Sequence, residues 1–287
     1  MELSNYERAE VLTQALPYIK KYVGKIVVVK YGGNAMINEA LREQVMEDVT
    51  LLSLIGVKVV LVHGGGPEIS DLMRKLGIQP TFVDGLRVTD KETVDVVQMV
   101  LAGKINKTLV RYLESKGGKA MGISGIDGKL IVAKKKDEKL GYVGEIEKIN
   151  IKPIFDLLEK GYIPVVSTVA TGEDGETYNI NGDTAAACIA GALSAERLIM
   201  MTDIAGVLRD KDDPDSLIPE MTVAEAGELK KQNIISGGMI PKVECCINAI
   251  SAGVKNVVIM DGRVPHSILM ELLTDEGAGT WIKGDSK

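Results

Sequence analysis

The residues of this chain whose types and spacing could do chemistry are mostly glycines and lysines arranged to meet an anion. Lys30 closes an apolar run, Lys25–Tyr31, and Gly32 and Gly33 follow at once. A second run, Lys58–His63, ends in Gly64, Gly65, Gly66 and Pro67. Neither run alternates apolar with polar residues, which predicts strands buried on both faces, as in a parallel sheet under helices. Glycines at a strand's end let backbone N–H groups close on phosphate or carboxylate oxygens, with a helix N-terminus behind them. Pro67 suits a first helical turn, and the glycines before it suit an anion nest or a plain tight turn.

Three more clusters carry polar groups at places where elements begin. Gly85-Leu-Arg-Val-Thr89 offers Arg87, a bidentate clamp for a carboxylate or else an ordinary surface arginine. Asn179-Ile-Asn-Gly-Asp-Thr184 opens a helix, and Asp183 could simply cap it. Ser236-Gly-Gly-Met-Ile-Pro-Lys242 puts Lys242 in the first turn of a helix, where a cation opposes the helix dipole and an anion nearby would offset that cost. Two phosphate motifs are excluded. Gly103-Lys104 is followed by Ile105, not Ser or Thr, and Gly64-Gly-Gly-Pro-Glu-Ile69 lacks the last glycine of a dinucleotide fingerprint.

The elements that must position these residues alternate. Strands are expected at Lys25–Tyr31, Lys58–His63, Lys119–Ser124, Ile163–Val169, Arg197–Thr202 and Asn256–Met260. Helices are expected at 39–54, 68–76, 89–116 with a break near Gly103, 151–160, 182–193, 222–231, 241–252 and 265–273. Ile126-Asp-Gly-Lys129 reads as a hairpin turn, and Thr171–Tyr178 as another hairpin. This alternation predicts an α/β fold: a three-layer α-β-α sandwich around a mostly parallel sheet, in two lobes. The expected division is a leading helix at 1–23, a first lobe at 24–190 and a second lobe at 191–287. The leading helix carries Ala9, Leu12, Leu16 and Ile19 three to four residues apart and is interrupted at Pro17. Deleting residues 1–22 should leave the catalytic fold intact.

Bulk composition excludes several classes. With 34 basic and 40 acidic residues the net charge is -6, which argues against nucleic acid as a partner. Lys134-Lys135-Lys136, followed by Asp137 and Glu138, reads as a solvated hairpin tip. No apolar stretch is long enough for a membrane span, and the first residues lack the apolar core of a signal peptide. Cys188, Cys245 and Cys246 read as core packing in a reducing cytoplasm. His63 and His266, the only histidines, have no partner at metal-ligand spacing, so no metal site is expected.

Taken in order, the clusters Lys30-Tyr-Gly-Gly-Asn-Ala35, His63-Gly-Gly-Gly-Pro67, Gly85–Thr89, Leu101-Ala-Gly-Lys-Ile-Asn-Lys107, Asn179–Ala186 and Gly237–Lys242 resemble the amino acid kinase family, and within it the N-acetyl-L-glutamate kinases of arginine biosynthesis. The resemblance covers residues 25–283. It implies that ATP phosphorylates the side-chain carboxylate of N-acetylglutamate to an acyl phosphate, with Mg²⁺ bridging the ATP phosphates and no tightly bound cofactor. It implies that Lys30 and Lys242 flank the transferring phosphoryl group, that Asp183 orients both lysines, and that the amides of Gly32, Gly33 and Gly65 meet phosphoryl oxygens. Gly65, Gly66, Arg87 and Asn179 would hold the acetylated amino acid, with Arg87 on its α-carboxylate. Thr202, Asp203, Gly206, Gly237, Gly238 and Met239 would lie about the nucleotide. The resemblance further implies oligomerisation for the helix at 1–23, amino-acid substrate binding for the lobe at 24–190 and nucleotide binding for the lobe at 191–287.

Relatives with an extra N-terminal helix resemble arginine-inhibited homohexamers, trimers of dimers. On that pattern arginine would bind near Tyr18, His266, Glu276 and Gly279, and the PII signalling protein is a candidate partner. Tyr142 departs from the histidine expected in many relatives. Arg87 and Asn179 suit any α-carboxylate bearing an acylated amine, so a kinase for an acylated aminoadipate is an alternative. A non-catalytic arginine sensor of the same fold is another, against which the intact Lys30, Asp183 and Lys242 speak.

Overall fold

A computed structural model of the chain describes residues 4–36 and 38–285. Residues 1–3 of the expected N-terminal segment and the last two residues of the expected C-terminal lobe lie outside them. The first elements are α1 (Asn5–Gln14), α2 (Leu16–Tyr22), β1 (Ile26–Tyr31), α3 (Glu39–Leu54), β2 (Lys58–His63) and α4 (Gly66–Lys75). A short ribbon follows, β3 (Phe82–Val83) and β4 (Leu86–Arg87). Then come α5 (Lys91–Gln98), a π-helical segment at Met99–Ile105, α6 (Asn106–Ser115), β5 (Ala120–Ser124), β6 (Ile131–Lys135) and β7 (Gly144–Ile149). The middle of the chain forms α7 (Lys152–Glu159), β8 (Ile163–Ser167), β9 (Val169–Thr171), β10 (Thr177–Asn179), α8 (Gly182–Ala192) and β11 (Arg197–Thr202). The last elements are β12 (Glu220–Thr222), α9 (Val223–Lys231), α10 (Met239–Ser251), β13 (Asn256–Asp261), α11 (Ser267–Leu273) and β14 (Gly279–Lys283).

An eight-stranded sheet runs β12-β14-β13-β11-β1-β2-β8-β5. Every pairing in it is parallel except β13 with β14. The unbroken apolar runs are explained by the two faces of this sheet. Val28 points into a cluster with α7, α8, α9 and α10, while Val27, Val29 and Tyr31 point into the other with α3, α4, α5, α6 and α11. The fold is therefore the expected three-layer α/β arrangement. β1 is central, and β2 and β11 flank it, so their carboxyl ends share one edge. Ligands in open α/β sheets gather at such an edge, where the strand order diverges. A second sheet, β10-β9-β6-β7, covers the α8 side near that edge.

Several local expectations change. Asp127–Lys129 is a tight turn, but it joins strands of different sheets, β5 in the large one and β6 in the small one, so it is no hairpin turn. The run 163–169 is two strands, β8 and β9, divided between the two sheets. The edge strand β12 and its neighbour β14 have weak sequence signals; β14 lies between β12, which it pairs in parallel, and β13, which it pairs antiparallel. At the N-terminus the break falls at Ala15, and Pro17 sits in the first turn of α2, where its missing N–H costs nothing. α1 buries no residue, but Tyr22 of α2 is 2% exposed and packs beside Arg197. A truncation through residue 22 would therefore remove a buried residue, whereas α1 contributes none. The long helical pattern is interrupted as expected near Gly103, by the π-helical segment. Lys134 and Lys135 are exposed on a β6–β7 hairpin and pair with Glu145, Glu147 and Glu138.

Candidate active site

The sheet edge places Lys30 and the first glycine cluster beside the second. Lys30 is the fifth residue of β1, 8% exposed, and its ammonium lies against Gly32. Gly33 has φ +70°, a conformation that favours glycine, and turns the chain out of the strand. After β2, Gly65 precedes α4 and Pro67 occupies its first turn. A Cβ on Gly65 would come within 2.2 Å of Ile105 Cδ1 and 2.7 Å of Leu101 Cδ2, so any larger residue there would push side chains of the π-helical segment aside. The N–H groups of Gly65 and Gly66 make no hydrogen bond to protein among the described residues. They stand at a helix N-terminus, where a negative charge is favoured.

Asp183 reaches the same edge from the opposite layer. Its helix, α8, is capped by Asn181, whose Oδ1 accepts from the N–H groups of Asp183 and Thr184 at 3.0 Å each. Asp183 is therefore not the cap, and its carboxylate is left for other partners. Lys30 Nζ lies 2.9 Å from Asp183 Oδ1 and Lys242 Nζ 3.3 Å from Asp183 Oδ2. Lys242 projects from the start of α10, which packs on α8. Burial works against ionisation of Asp183, but the charges of Lys30 and Lys242 and their hydrogen bonds outweigh it and hold its carboxyl below its ordinary value. One carboxylate thus organises two lysines, leaving an excess positive charge at the sheet edge.

Across the cleft, Arg87 of β4 is 7% exposed. Its Nη2 donates to the carbonyl of Gly66 at 2.9 Å and to Ser70 Oγ at 2.8 Å, and Nη1 donates to Met73 Sδ at 3.3 Å. Its guanidinium lies over the Phe82 ring, 4.7 Å from the centroid. Burial and then the neighbouring Arg74 push its pKa down. No carboxylate lies within ion-pair distance of it among the described residues. A buried cation lacking a charged partner favours an anionic ligand. Asn179, at the end of β10, donates from Nδ2 to Thr89 Oγ1 at 3.2 Å, and its N–H donates to the carbonyl of Tyr142 at 2.8 Å. Tyr142 therefore bears on the cleft through its backbone, while its ring packs near Tyr178 and Lys91.

One cleft of about 270 Å³ is lined by Lys30, Gly32, Gly33, Gly65, Gly66, Arg87, Asn179 and Asp183, all named from sequence. Phe82, Val143, Thr168 and Asn181 also line it and were missed. Asn181 was visible as an Asn two residues before an acidic first turn; the others carry no local signal. Thr202, Asp203, Gly206, Gly237, Gly238 and Met239 are not part of this lining. Thr202 is buried at the end of β11 and folds its own turn through Ile204, and Gly206 packs against Thr280. Asp203, Gly237 and Gly238 are exposed, and Met239 begins α10.

A second cleft, about 820 Å³, lies between α1–α2 and α11 and is lined by Tyr18 and His266 but not by Glu276 or Gly279. Gly279 instead meets the β13 backbone, where a Cβ would fall 2.1 Å from the Ile259 carbonyl. The three cysteines are free, and burial raises the pKa of each. Among the described residues no cluster of His, Cys, Asp or Glu could hold a metal ion, and no helix is long and apolar enough to cross a membrane.

The profile of the amino acid kinase family matches residues 25–261. The chain belongs to the amino acid kinase family. It is 52% identical over 284 residues to the acetylglutamate kinase of Clostridioides difficile, covering 99% of both chains. It is 50% identical over 285 residues to that of Thermosynechococcus vestitus, covering 99% of this kinase and 97% of the relative. Among solved structures, N-acetylglutamate synthase from Neisseria gonorrhoeae, complexed with coenzyme A and N-acetyl-glutamate, superposes with a TM-score of 0.85 at 26% identity. That match covers 97% of this kinase and 64% of the synthase chain, so the kinase spans less than two thirds of it. Carbamate kinase from Giardia lamblia bound to AMP-PNP superposes with a TM-score of 0.68 at 19% identity over 92% of this kinase, a likeness of fold.

Proposed function

We propose that this kinase transfers the γ-phosphoryl group of ATP to the side-chain carboxylate of N-acetyl-L-glutamate, giving N-acetyl-L-glutamyl 5-phosphate for arginine biosynthesis. The observation that carries this reading is Asp183 set between Lys30 and Lys242, with a buried Arg87 across the same cleft. The names of its near relatives agree with it.

The chemistry follows from charge. A carboxylate is already ionised at neutral pH, so the nucleophile needs no general base. A carboxylate oxygen attacks the γ-phosphorus, the bond to the bridging oxygen breaks, and ADP leaves with that electron pair. Such a transfer asks for alignment and for stabilisation of charge on the equatorial and bridging oxygens. Lys30 on the acceptor side and Lys242 toward the nucleotide would supply that charge, and Asp183 would keep both ammonium groups aimed. The amides of Gly32, Gly33 and Gly65 would meet the phosphoryl oxygens. Arg87 would take the α-carboxylate, and Gly66 and Asn179 would meet the acetylated amine.

Magnesium would enter with ATP, held chiefly by phosphate oxygens, as it often is. Among the described residues the cleft has one lining carboxylate, Asp183, and it already serves two lysines. The nucleotide would lie beyond Lys242, about Thr202, Asp203, Gly206 and Gly237–Met239, with the chain divided into substrate and nucleotide lobes near residue 190. A cytoplasmic homohexamer inhibited by arginine, and PII as a partner, extend the reading. The exposed apolar side chains of α1 and α2, among them Leu12 and Leu16, support a subunit contact there. The test is ATP-dependent, hydroxylamine-trappable acyl phosphate formation with N-acetylglutamate and its one-carbon-longer aminoadipate homologue. Equal turnover of both would overturn the assignment of side-chain length, and turnover of neither would overturn the reaction.

A further inference from the structure

His63 ends β2, is fully buried, and has no part in the mechanism above. Its ring is placed by bonds that fix its tautomer. Nδ1 lies 3.0 Å from the carbonyl oxygen of Gly64, which can only accept, so Nδ1 carries the proton. Nε2 lies 3.2 Å from Asn106 Nδ2, which can only donate, so Nε2 accepts. The orientation of the Asn106 amide is itself determined. Its nitrogen faces the carbonyls of Val165, at 2.9 Å, and Ile123, at 3.2 Å, so its two hydrogens are shared among these and His63 Nε2, and its oxygen accepts from Lys107 Nζ at 3.0 Å. Burial lowers the ring's pKa to about 4, so it is neutral through the physiological range.

The carbonyl of Gly64 and the N–H of Gly65 belong to one peptide unit. In a planar trans peptide these two groups point in opposite directions. A bond that pulls the Gly64 carbonyl toward the buried ring therefore turns the Gly65 N–H the other way, toward the cleft that Gly65 lines. Glycines on both sides of this unit leave it free to rotate, since Gly64, Gly65 and Gly66 have no Cβ to restrict it. A preorganised donor stabilises developing charge only if its direction is fixed before reaction.

We propose that His63, held by Asn106, is a positioning residue that locks the Gly64–Gly65 peptide with its N–H aimed at the transferring phosphoryl group. The proposal rests on the reading of Gly65 as a phosphoryl-oxygen donor.

The two ring nitrogens can be tested separately in the full-length enzyme. Asn in place of His puts an amide nitrogen near the position of Nδ1, and Gln puts its polar end near that of Nε2. His63→Asn should keep kcat within roughly threefold of wild type, whereas His63→Gln and His63→Leu should lose about a hundredfold, on the scale of one lost oxyanion donor. KM for both substrates should move little, and kcat is to be expressed per folded molecule from the melting curve of each variant. The reverse order, with Gln active and Asn inactive, would show that His63 acts by bracing Asn106 and would overturn the proposal. So would wild-type kcat in all three. Lys30→Met in the same assay separates the two levels: if it keeps its kcat, the site reading itself fails, whatever the His63 variants do. If it loses kcat while all His63 variants retain theirs, the positioning role alone fails.

Discussion

Asp183 Oδ1 lies 2.9 Å from Lys30 Nζ, joining the N-terminus of one helix to the end of a strand far away in sequence. The contact exists because β1 is the neighbour of β11 and α8 packs directly on β1. The lysine reaches along the strand's edge and the aspartate comes down from the helix above it. The other oxygen of the same carboxylate serves Lys242. Each cation is thereby aimed without being used up, since two positive charges share one negative one.

Replacing Asp183 should disorder both lysines at once. Asp183→Asn is expected to lower kcat by roughly a hundredfold or more, in the range of a lost electrostatic stabiliser. Because the folded pKa of Asp183 is depressed, its pairing is fully present above the ordinary carboxylate value and is lost as pH falls through the folded value. A kcat–pH profile of the wild type should therefore show no loss from this group between pH 8 and the ordinary range near 4. An Asp183→Asn enzyme with wild-type kcat would remove the carboxylate from the mechanism.

Lys242 should act on the reaction more than on binding. Lys242→Ala is expected to lower kcat by about a hundredfold while the KM for N-acetylglutamate changes far less. Steady-state kinetics in both substrates decides this, and a rise confined to the KM for ATP would make Lys242 a nucleotide-binding residue only.

Arg87 should behave oppositely. Its three polar contacts fix the guanidinium plane, so Arg87→Lys should fail to restore what Arg87→Ala loses. The expected result is a KM for N-acetylglutamate raised tenfold or more, on the order of one lost charge-assisted pair. Substrate titration of the two variants checks it, and a lysine that restored the KM would argue against a planar clamp.

Asp48 gives a pH-dependent stability. It is buried in α3 with His266 Nδ1 at 2.6 Å. Burial is the main cause that pushes its pKa up from 3.8 to about 6, with the bond and charge of His266 opposing it. The folded state therefore binds this proton more tightly than the unfolded chain does. The wild type should lose stability relative to Asp48→Asn as pH rises from about 4 to about 6, the interval in which only the unfolded chain has ionised. Denaturant titrations of both proteins across that interval measure the difference, and a difference independent of pH would contradict the shift.

The N-terminal helices should separate at Ala15. Deleting residues 1–14 removes α1, which buries nothing, and should leave kinase activity intact. Deletion through residue 22 also removes Tyr22, which packs beside Arg197 in the buried Arg197–Glu271 pair, and should destabilise the protein by a few kcal/mol, as loss of a buried aromatic does. On the hexamer reading, the shorter deletion should already yield a dimer insensitive to arginine. Sedimentation and arginine titration test that, and an unchanged, arginine-sensitive hexamer would make α1 an ordinary intrasubunit element.

The sequence by itself determined the layered fold, because strands buried on both faces must read as continuous apolar runs and helices must read with a 3.6-residue period. It also singled out Lys30, Asp183, Lys242, Arg87 and the glycine clusters, since a glycine at a strand end or a lysine at a helix start is a local anomaly. What it could not decide is which of these meet. Whether Asp183 or Asn181 caps α8 depends on backbone geometry a single residue cannot announce. β14 forms where β13 offers it a partner and the edge strand β12 then pairs with β14, and the turn at Asp127–Lys129 crosses between sheets because β5 and β6 find different neighbours. The pairing of His63 with Asn106 joins a strand to a helix through side chains that each look like ordinary core polar residues. Those outcomes are set by long-range packing, in which the lowest free energy belongs to an arrangement of many elements and to no segment alone.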